Sequence, residues 1–180
     1  RTSLIGEHQA QNTALAITAV KKYDPKISNK IIKLGLENVI WPGRLQKVSD
    51  KIYYDVAHNH EGIESVINNL KEIFPNYKLY GLLCLKGDKE IDKIADCIRS
   101  KFTTLFVSTS KDGLLLETNK LSKELYRMKI PNLPFKDLKT CIAEFKSNRM
   151  STDILLIFGS HYIANEIFSE FEISFDSGLI

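Results

Sequence analysis

Residues 52–60 read Ile52-Tyr53-Tyr54-Asp55-Val56-Ala57-His58-Asn59-His60, and the stretch that follows sets Ile63, Val66, Ile67, Leu70 and Phe74 before Pro75. The first part is short, apolar and aromatic and ends on an acid, the pattern of an extended segment. In the second, apolar residues recur every three or four positions, which lines them along one helix face, and the proline closes it. A strand thus feeds a helix through a polar turn, and the same alternation recurs downstream. Residues 79–85 are a continuous apolar run of buried-strand type, and Ile91, Ile94, Ala95 and Ile98 stripe the next helix. Residues 105–107 read as a third strand, and Leu121, Leu125 and Met128 as a helix broken by Pro131 and Pro134. Leu138, Cys141, Ile142 and Phe145 stripe another helix, residues 154–158 are the most apolar strand, and a last helix covers 163–171. Upstream, Val48 marks a further short extended segment. Ser28 is placed to cap a helix through Ile31, Ile32 and Leu34 that stops at Gly35. Ala14, Leu15, Ala16, Ile17, Ala19 and Val20 form a first helical pattern that dies before Pro25. Strands joined by helices of this length require right-handed crossovers, so the expected class is α/β, with a doubly wound, mostly parallel sheet flanked by helices.

At 180 residues, with 43% hydrophobic and 26% charged residues, the chain has the composition of a globular domain that buries about 70% of its extended surface. Disordered, collagen-like and disulfide-stapled classes are excluded. The 25 basic and 22 acidic residues are dispersed and leave only +3, which is no electrostatic footprint for nucleic acid. Cys84, Cys97 and Cys141 are an odd number without paired spacing inside apolar patterns, and read as buried free thiols of a reducing, cytoplasmic compartment. Four scattered histidines with unpaired cysteines offer no zinc ligand set. No apolar run reaches the ~18 residues of a membrane helix. A first residue other than Met, close to a helical pattern, leads to the expectation of a fragment with sequence upstream.

In an open parallel sheet, ligands bind beyond the carboxyl ends of the strands, where loops and helix N-termini converge. The expected exits are residues 55–60, Lys86-Gly87-Asp88-Lys89, Ser108-Thr109-Ser110-Lys111 and Gly159-Ser160-His161, all polar. An acid at a strand end suits ribose hydroxyls, and a Gly-Ser turn offers N–H groups and a hydroxyl to an anion. Each has a plainer reading. Asp55 also fits a cap, His58 and His60 solvated loop residues, and Gly159-Ser160 a tight turn. Asp88 with Lys89 also fits an exposed ion pair, and His8, Gln9 and Asn12 surface residues on one helix face. Arg44 follows Trp41-Pro42-Gly43, a turn holding the only tryptophan, and there the functional reading outweighs the plain one.

Taken in order, Leu4-Ile5-Gly6-Glu7-His8-Gln9-Ala10-Gln11-Asn12-Thr13-Ala14, Trp41-Pro42-Gly43-Arg44-Leu45, Asp55-Val56-Ala57-His58-Asn59, Asp88-Lys89-Glu90 and Gly159-Ser160 resemble the C-terminal third of the folylpolyglutamate synthase and dihydrofolate synthase family, within the Mur ligase superfamily. The sequence departs from the family pattern at Val56, where Gly is usual, at His60, where Pro is usual, and in lacking an arginine over 111–121. The resemblance implies a Rossmann-like C-terminal domain over residues 22–180, with residues 1–21 as the last helix of an N-terminal ATPase domain. It implies an ATP-dependent ligase that phosphorylates the carboxylate of dihydropteroate or folylpolyglutamate to an acyl phosphate, from which the amine of L-glutamate displaces phosphate. The family's P-loop and Mg2+ ligands belong to the other domain. This sequence has no P-loop motif, so by itself it is expected to be inactive and to hold no metal. By matching positions, Asn12 and His8 approach adenine, Arg44 reaches ATP, Asp55 takes the ribose, and His58 and Ser160 lie near glutamate and the acyl phosphate. Arg44 and His58 are the catalytic candidates. The partners implied are ATP, L-glutamate, a dihydropteroate or folate acceptor and the chain's own N-terminal domain. The enzyme is expected to be monomeric, without nucleic acid or membrane, and to close about a hinge near residues 21–27. Three other readings stand beside it: a Mur-type ligase acting on a peptidoglycan precursor, a nucleotide-binding module without ligase activity, and a plain interaction domain.

Overall fold

The structure, a computed structural model, describes residue 4 and residues 6–174. Its elements run α1 (Glu7–Tyr23), α2 (Asn29–Asn38), β1 (Gln46–Ser49), β2 (Ile52–Tyr54), α3 (His60–Ile73), β3 (Lys78–Leu83), α4 (Ile91–Ile98), β4 (Thr104–Val107), α5 (Thr118–Arg127), β5 (Leu133–Pro134), α6 (Leu138–Asn148), β6 (Asp153–Phe158) and α7 (Ala164–Glu170). The strands form one six-stranded sheet in the order β1-β2-β6-β3-β4-β5. All neighbours are parallel except β1, which pairs antiparallel with β2 and shifts register between Lys47 and Ser49. The expected doubly wound, mostly parallel α/β sheet is what forms.

The two faces have separate cores. Ile63, Val66, Ile67 and Leu70 of α3, Ile94 and Ile98 of α4, and Leu121 and Leu125 of α5 pack with Ile154, Leu156 and Phe158 on one face. Cys141, Ile142 and Phe145 of α6 and Ile167 and Phe168 of α7 pack with Leu155 and Ile157 on the other. Every residue of β6 is buried, because helices cover both of its sides. The chain steps outward through α3, α4 and α5 along one face and returns through α6 along the other, which inserts β6 between β2 and β3. The helices that leave β2 and β3 therefore lie opposite the helix that leaves β6. That reversal opens a crevice at the carboxyl ends of these three strands.

Local rules account for the helix starts. Asn59 accepts from Gly62 N at 3.1 Å, Asp137 from Thr140 N at 2.7 Å, and Ser28 from Ile31 N at 3.3 Å, the last as expected. Gly35 does not end α2, contrary to expectation. The helix runs on to Asn38 with a Lys33–Glu37 pair beyond the glycine, whose cost of roughly 1 kcal/mol relative to alanine is too small to break it. Residues 133–134, read as a helix break, form the edge strand β5, and residues 84–85 of the expected apolar strand are already past the end of β3. α1 runs unbroken through residues 21 and 22 before a turn in which Lys21 Nζ donates to Ile27 O at 2.6 Å and Lys26 N to Asp24 Oδ1 at 2.9 Å. α2 buries no residue, and Ile31, Leu34, Ile40 and Trp41 are exposed. These stand-off helices contribute to an exposed area of 10,777 Å², above the roughly 8,800 Å² that size scaling gives. Cys84, Cys97 and Cys141 are buried free thiols, as expected. Among the described residues, no helix is long and apolar enough to cross a membrane.

Candidate functional site

The exit of β6 is built around Gly159. Its φ is +106°, and a Cβ added there would collide with the Cys84 carbonyl oxygen and come within 2.8 Å of Leu83 Cδ1, so the neighbouring β3 exit leaves room for glycine alone. Ser160 follows, buried. Its Oγ accepts from Tyr162 N at 3.0 Å, and its carbonyl accepts from the Tyr54 hydroxyl at 2.9 Å. Gly159-Ser160 is thus a tight turn, the plainer of the two readings the sequence allowed, and these bonds fix its shape.

The exit of β2 carries Asp55, which is 4% exposed. One carboxylate oxygen accepts from Leu45 N and the other from Ala57 N, each at 2.7 Å. Asp55 is thus a buried brace between β2 and the turn at residues 41–45. The same turn is held by Val56 N donating to Gly43 O at 2.9 Å, Gly43 N donating to Gln46 Oε1 at 2.9 Å, and Arg44 N donating to Trp41 O at 3.3 Å. Gly43 has φ +71°, and a Cβ would meet Val56 Cγ1 at 2.6 Å. The backbone under Arg44 is therefore rigid, while its side chain is exposed and, among the described residues, without an ion-pair partner. His58 is half-buried, and its Nδ1 lies 3.0 Å from Val56 O. A carbonyl only accepts, so Nδ1 is the donor in this contact and Nε2 is the ring nitrogen left for a ligand.

The three exits meet around a cavity of about 90 Å³ lined by His58, Lys86, Asp88, Lys89, Ser160 and His161, with Gly159 and Tyr162. Lys86 and Lys89 were no more than part of a polar exit in the sequence; here Asp88 lies 3.5 Å from the Lys86 ammonium and 3.7 Å from that of Lys89. Desolvation pushes the Asp88 carboxyl up, but the two ammonium groups outweigh it and hold it below the usual carboxylate range. Lys86 also sits 5.9 Å from the centre of the Tyr162 ring, which packs on His161 at 4.1 Å. The signal for both lysines was their place at a strand exit beside an acid. A second cavity of about 380 Å³ lies on the other side of His161 and Tyr162, against Gly43, Val56, Asp112 and Phe168. A third, about 420 Å³, lies at the amino ends of β4 and β5 near Arg99 and Asn132 and shares no residue with the strand exits.

The structure thus brings His58 and Ser160 together and sets Asp55 beneath the Arg44 turn. Asn12 is an exposed α1 residue whose Nδ2 donates to Gln9 Oε1 at 3.4 Å, and it lines neither strand-exit cavity. His8 lies on α1, and its side chain falls outside the described residues. Among the described residues, no group of three His, Cys, Asp or Glu is placed to hold a metal ion.

The family model of the Mur ligase, glutamate ligase domain, matches residues 43–161, which contain every exit described above. The chain belongs to this family. The chain is 31% identical over 175 residues, 93% of its length, to the dihydrofolate synthase/folylpolyglutamate synthase of Bacillus subtilis (strain 168). It spans 40% of that relative's length. Its fold matches Mycobacterium tuberculosis folylpolyglutamate synthase complexed with ADP, with TM-score 0.87 and 24% identity over 96% of this chain and 42% of that one. It also matches a bifunctional folylpolyglutamate synthase/dihydrofolate synthase with Mn, AMPPNP and L-glutamate bound, with TM-score 0.77 and 19% identity over 88% of this chain and 38% of that one.

Proposed function

We propose that this domain is the glutamate-holding C-terminal part of an ATP-dependent ligase that joins L-glutamate to dihydropteroate, to folylpolyglutamate or to both. The observation that carries the reading is the cavity where the β2, β6 and β3 exits converge, with lysines 86 and 89, His58 and Ser160 on its wall. Glutamate presents two carboxylates and an amine that must attack. The ammonium groups of Lys86 and Lys89 suit the carboxylates, with Asp88 as their counter-ion when no substrate is present. The Nε2 lone pair of His58 suits an amine N–H.

In the reaction, the acceptor carboxylate oxygen bonds to the terminal phosphorus of ATP and ADP leaves. The glutamate nitrogen then bonds to the acyl carbon, the carbon–oxygen bond to phosphate breaks, phosphate departs with the electron pair, and His58 Nε2 takes the amine proton. Arg44, projecting from its braced turn, neutralises phosphoryl charge on ATP. The buried Asp55 keeps that turn in place and meets the ribose through the lone pairs its amide bonds leave over. Asn12 and His8 belong to the adenine side, on the helix that leads from the ATPase domain. Magnesium accompanies ATP on that other domain; among the described residues of this one, no group of three His, Cys, Asp or Glu is placed to hold it. The relatives crystallised with ADP, and with AMPPNP and L-glutamate, carry this fold and support the pairing of nucleotide with amino acid. Buried thiols suit an enzyme of the reducing cytoplasm.

The test is steady-state kinetics of the full-length enzyme. Ser160→Ala and His58→Ala are expected to raise the apparent KM for L-glutamate severalfold while that for ATP moves little, with D-glutamate a poor substitute. Wild-type glutamate KM in both variants with lost ATP affinity would remove the site assignment. Use of a muramyl peptide in place of any folate-type acceptor would replace the substrate reading.

A further inference from the structure

The β2–β6 ladder pairs Ile52, Tyr53 and Tyr54 with Leu155, Leu156 and Ile157, and Asp55 N adds a last bond to Ile157 O at 3.0 Å. Beyond Ile157 the β6 backbone turns to β3, where Phe158 O accepts from Cys84 N at 3.0 Å. The left-handed glycine and Ser160 come next, so the orientation of Ser160 is decided past the end of the β2 ladder. Here the Tyr54 hydroxyl reaches across and donates to Ser160 O at 2.9 Å. The Tyr54 ring is fully buried and has no latitude. It meets Phe168 edge-on at 6.1 Å and lies under Gly43, where an added Cβ would stand 3.4 Å from the ring. The ring thus backs the Arg44 turn while the hydroxyl holds the Ser160 turn, and the two jobs belong to different atoms of one side chain.

The geometry points to Tyr54 as a positioning residue for the glutamate side of the site: its hydroxyl sets the angle at which Ser160 and His161 face the strand-exit cavity. It acts through the Ser160 carbonyl and touches no substrate. The inference rests on the reading of that cavity as the glutamate site. Burial, with the charge of Asp55 adding to it, pushes the phenol far above its ordinary value, so the hydroxyl stays protonated and remains a donor wherever the enzyme works.

The experiment compares Tyr54→Phe, Ser160→Ala, their double variant and Phe168→Leu in the full-length enzyme, with melting temperatures measured alongside. Tyr54→Phe keeps the ring under Gly43 and removes only the tie to Ser160, so the KM for L-glutamate should rise roughly fivefold, the scale of one hydrogen bond, with the ATP KM unchanged. The double variant should show less than the product of the single effects. Phe168→Leu loosens the ring packing but keeps the hydroxyl, and should leave the glutamate KM at the wild-type value. An unchanged glutamate KM in Tyr54→Phe beside a raised one in Ser160→Ala overturns the positioning role and spares the site. An unchanged value in both removes the site itself. An equal rise for glutamate and ATP, the same rise in Phe168→Leu, or a Tyr54→Phe protein that fails to fold where Phe168→Leu folds would make Tyr54 a packing residue and overturn the proposal.

Discussion

Asp55→Ala is expected to damage the scaffold under Arg44 before it touches nucleotide chemistry. The carboxylate accepts from two backbone amides at 2.7 Å, those of Leu45 and Ala57, and these residues are 5% and 6% exposed, so water cannot take its place. Leaving a buried donor unsatisfied costs about 1–3 kcal/mol, and two of them about 2–6 kcal/mol. Removing a buried charge gives part of this back, because its desolvation no longer has to be met. A net loss of about 2–4 kcal/mol remains, and for a chain of this size each kcal/mol moves the melting temperature by about 2–4 °C, for a total of about 5–15 °C. The assay is thermal unfolding followed by far-UV circular dichroism, on the wild type, Asp55→Ala and Arg44→Ala. Arg44, exposed and unpaired among the described residues, should change the midpoint by no more than about 2 °C. A melting temperature for Asp55→Ala within the error of the wild type, or equal losses for both variants, would refute the bracing argument and return Asp55 to a purely ligand-facing role.

Arg44→Ala in the full-length enzyme should lower kcat by roughly 10²-fold, the scale of one electrostatic donor, and unchanged turnover would take Arg44 out of the chemistry. Gly159→Ala meets both a φ of +106° and a Cβ clash with Cys84 O, and should cost about 3 kcal/mol or more in urea unfolding; a near-neutral result would mean that the β3 exit yields easily. At pH 8 the native chain should react with an aromatic disulfide reagent at none of its three buried cysteines within minutes, and at all three once unfolded; a fast native thiol would contradict the packing. Burial, reinforced by Glu64, raises the Cys97 thiol from 9.0 to about 11, above its unfolded value, so its contribution to stability is whole below pH 9 and is lost as pH climbs toward 11. A melting temperature that falls over that window in the wild type and less so in Cys97→Ala would bear this out, and equal falls would not.

The sheet was legible because two periods alternate cleanly along the chain. Ile63, Val66, Ile67 and Leu70 can only share a helix face, and the run at 154–158 is apolar at every position because helices cover both sides of β6. What escaped depended on contacts distant in sequence. β5 is two residues with a proline, and becomes a strand only because Phe106 and Val107 offer it an edge. Gly35 looked like a stop, yet α2 buries no residue and, among the described residues, nothing stands within 4 Å of a Cβ at Gly35 to oppose its continuation. Asp55 was legible as an acid at a strand exit, but its bracing of Leu45 follows from the way β1 folds back antiparallel on β2. Lys86 and Lys89 resembled solvated loop charges until the insertion of β6 between β2 and β3 brought His58 and Ser160 alongside.

On the proposed function, the exits of β2, β6 and β3 hold the amino acid. The most direct measurement is a crystal structure of the full-length enzyme with a non-hydrolysable ATP analogue and L-glutamate. Both carboxylates are expected within hydrogen-bond distance of donors drawn from Lys86, Lys89 and Ser160, with the amine on the His58 side and the Lys86–Asp88 and Lys89–Asp88 contacts opened. Glutamate bound away from these residues, with Asp88 still holding both lysines, would contradict that placement.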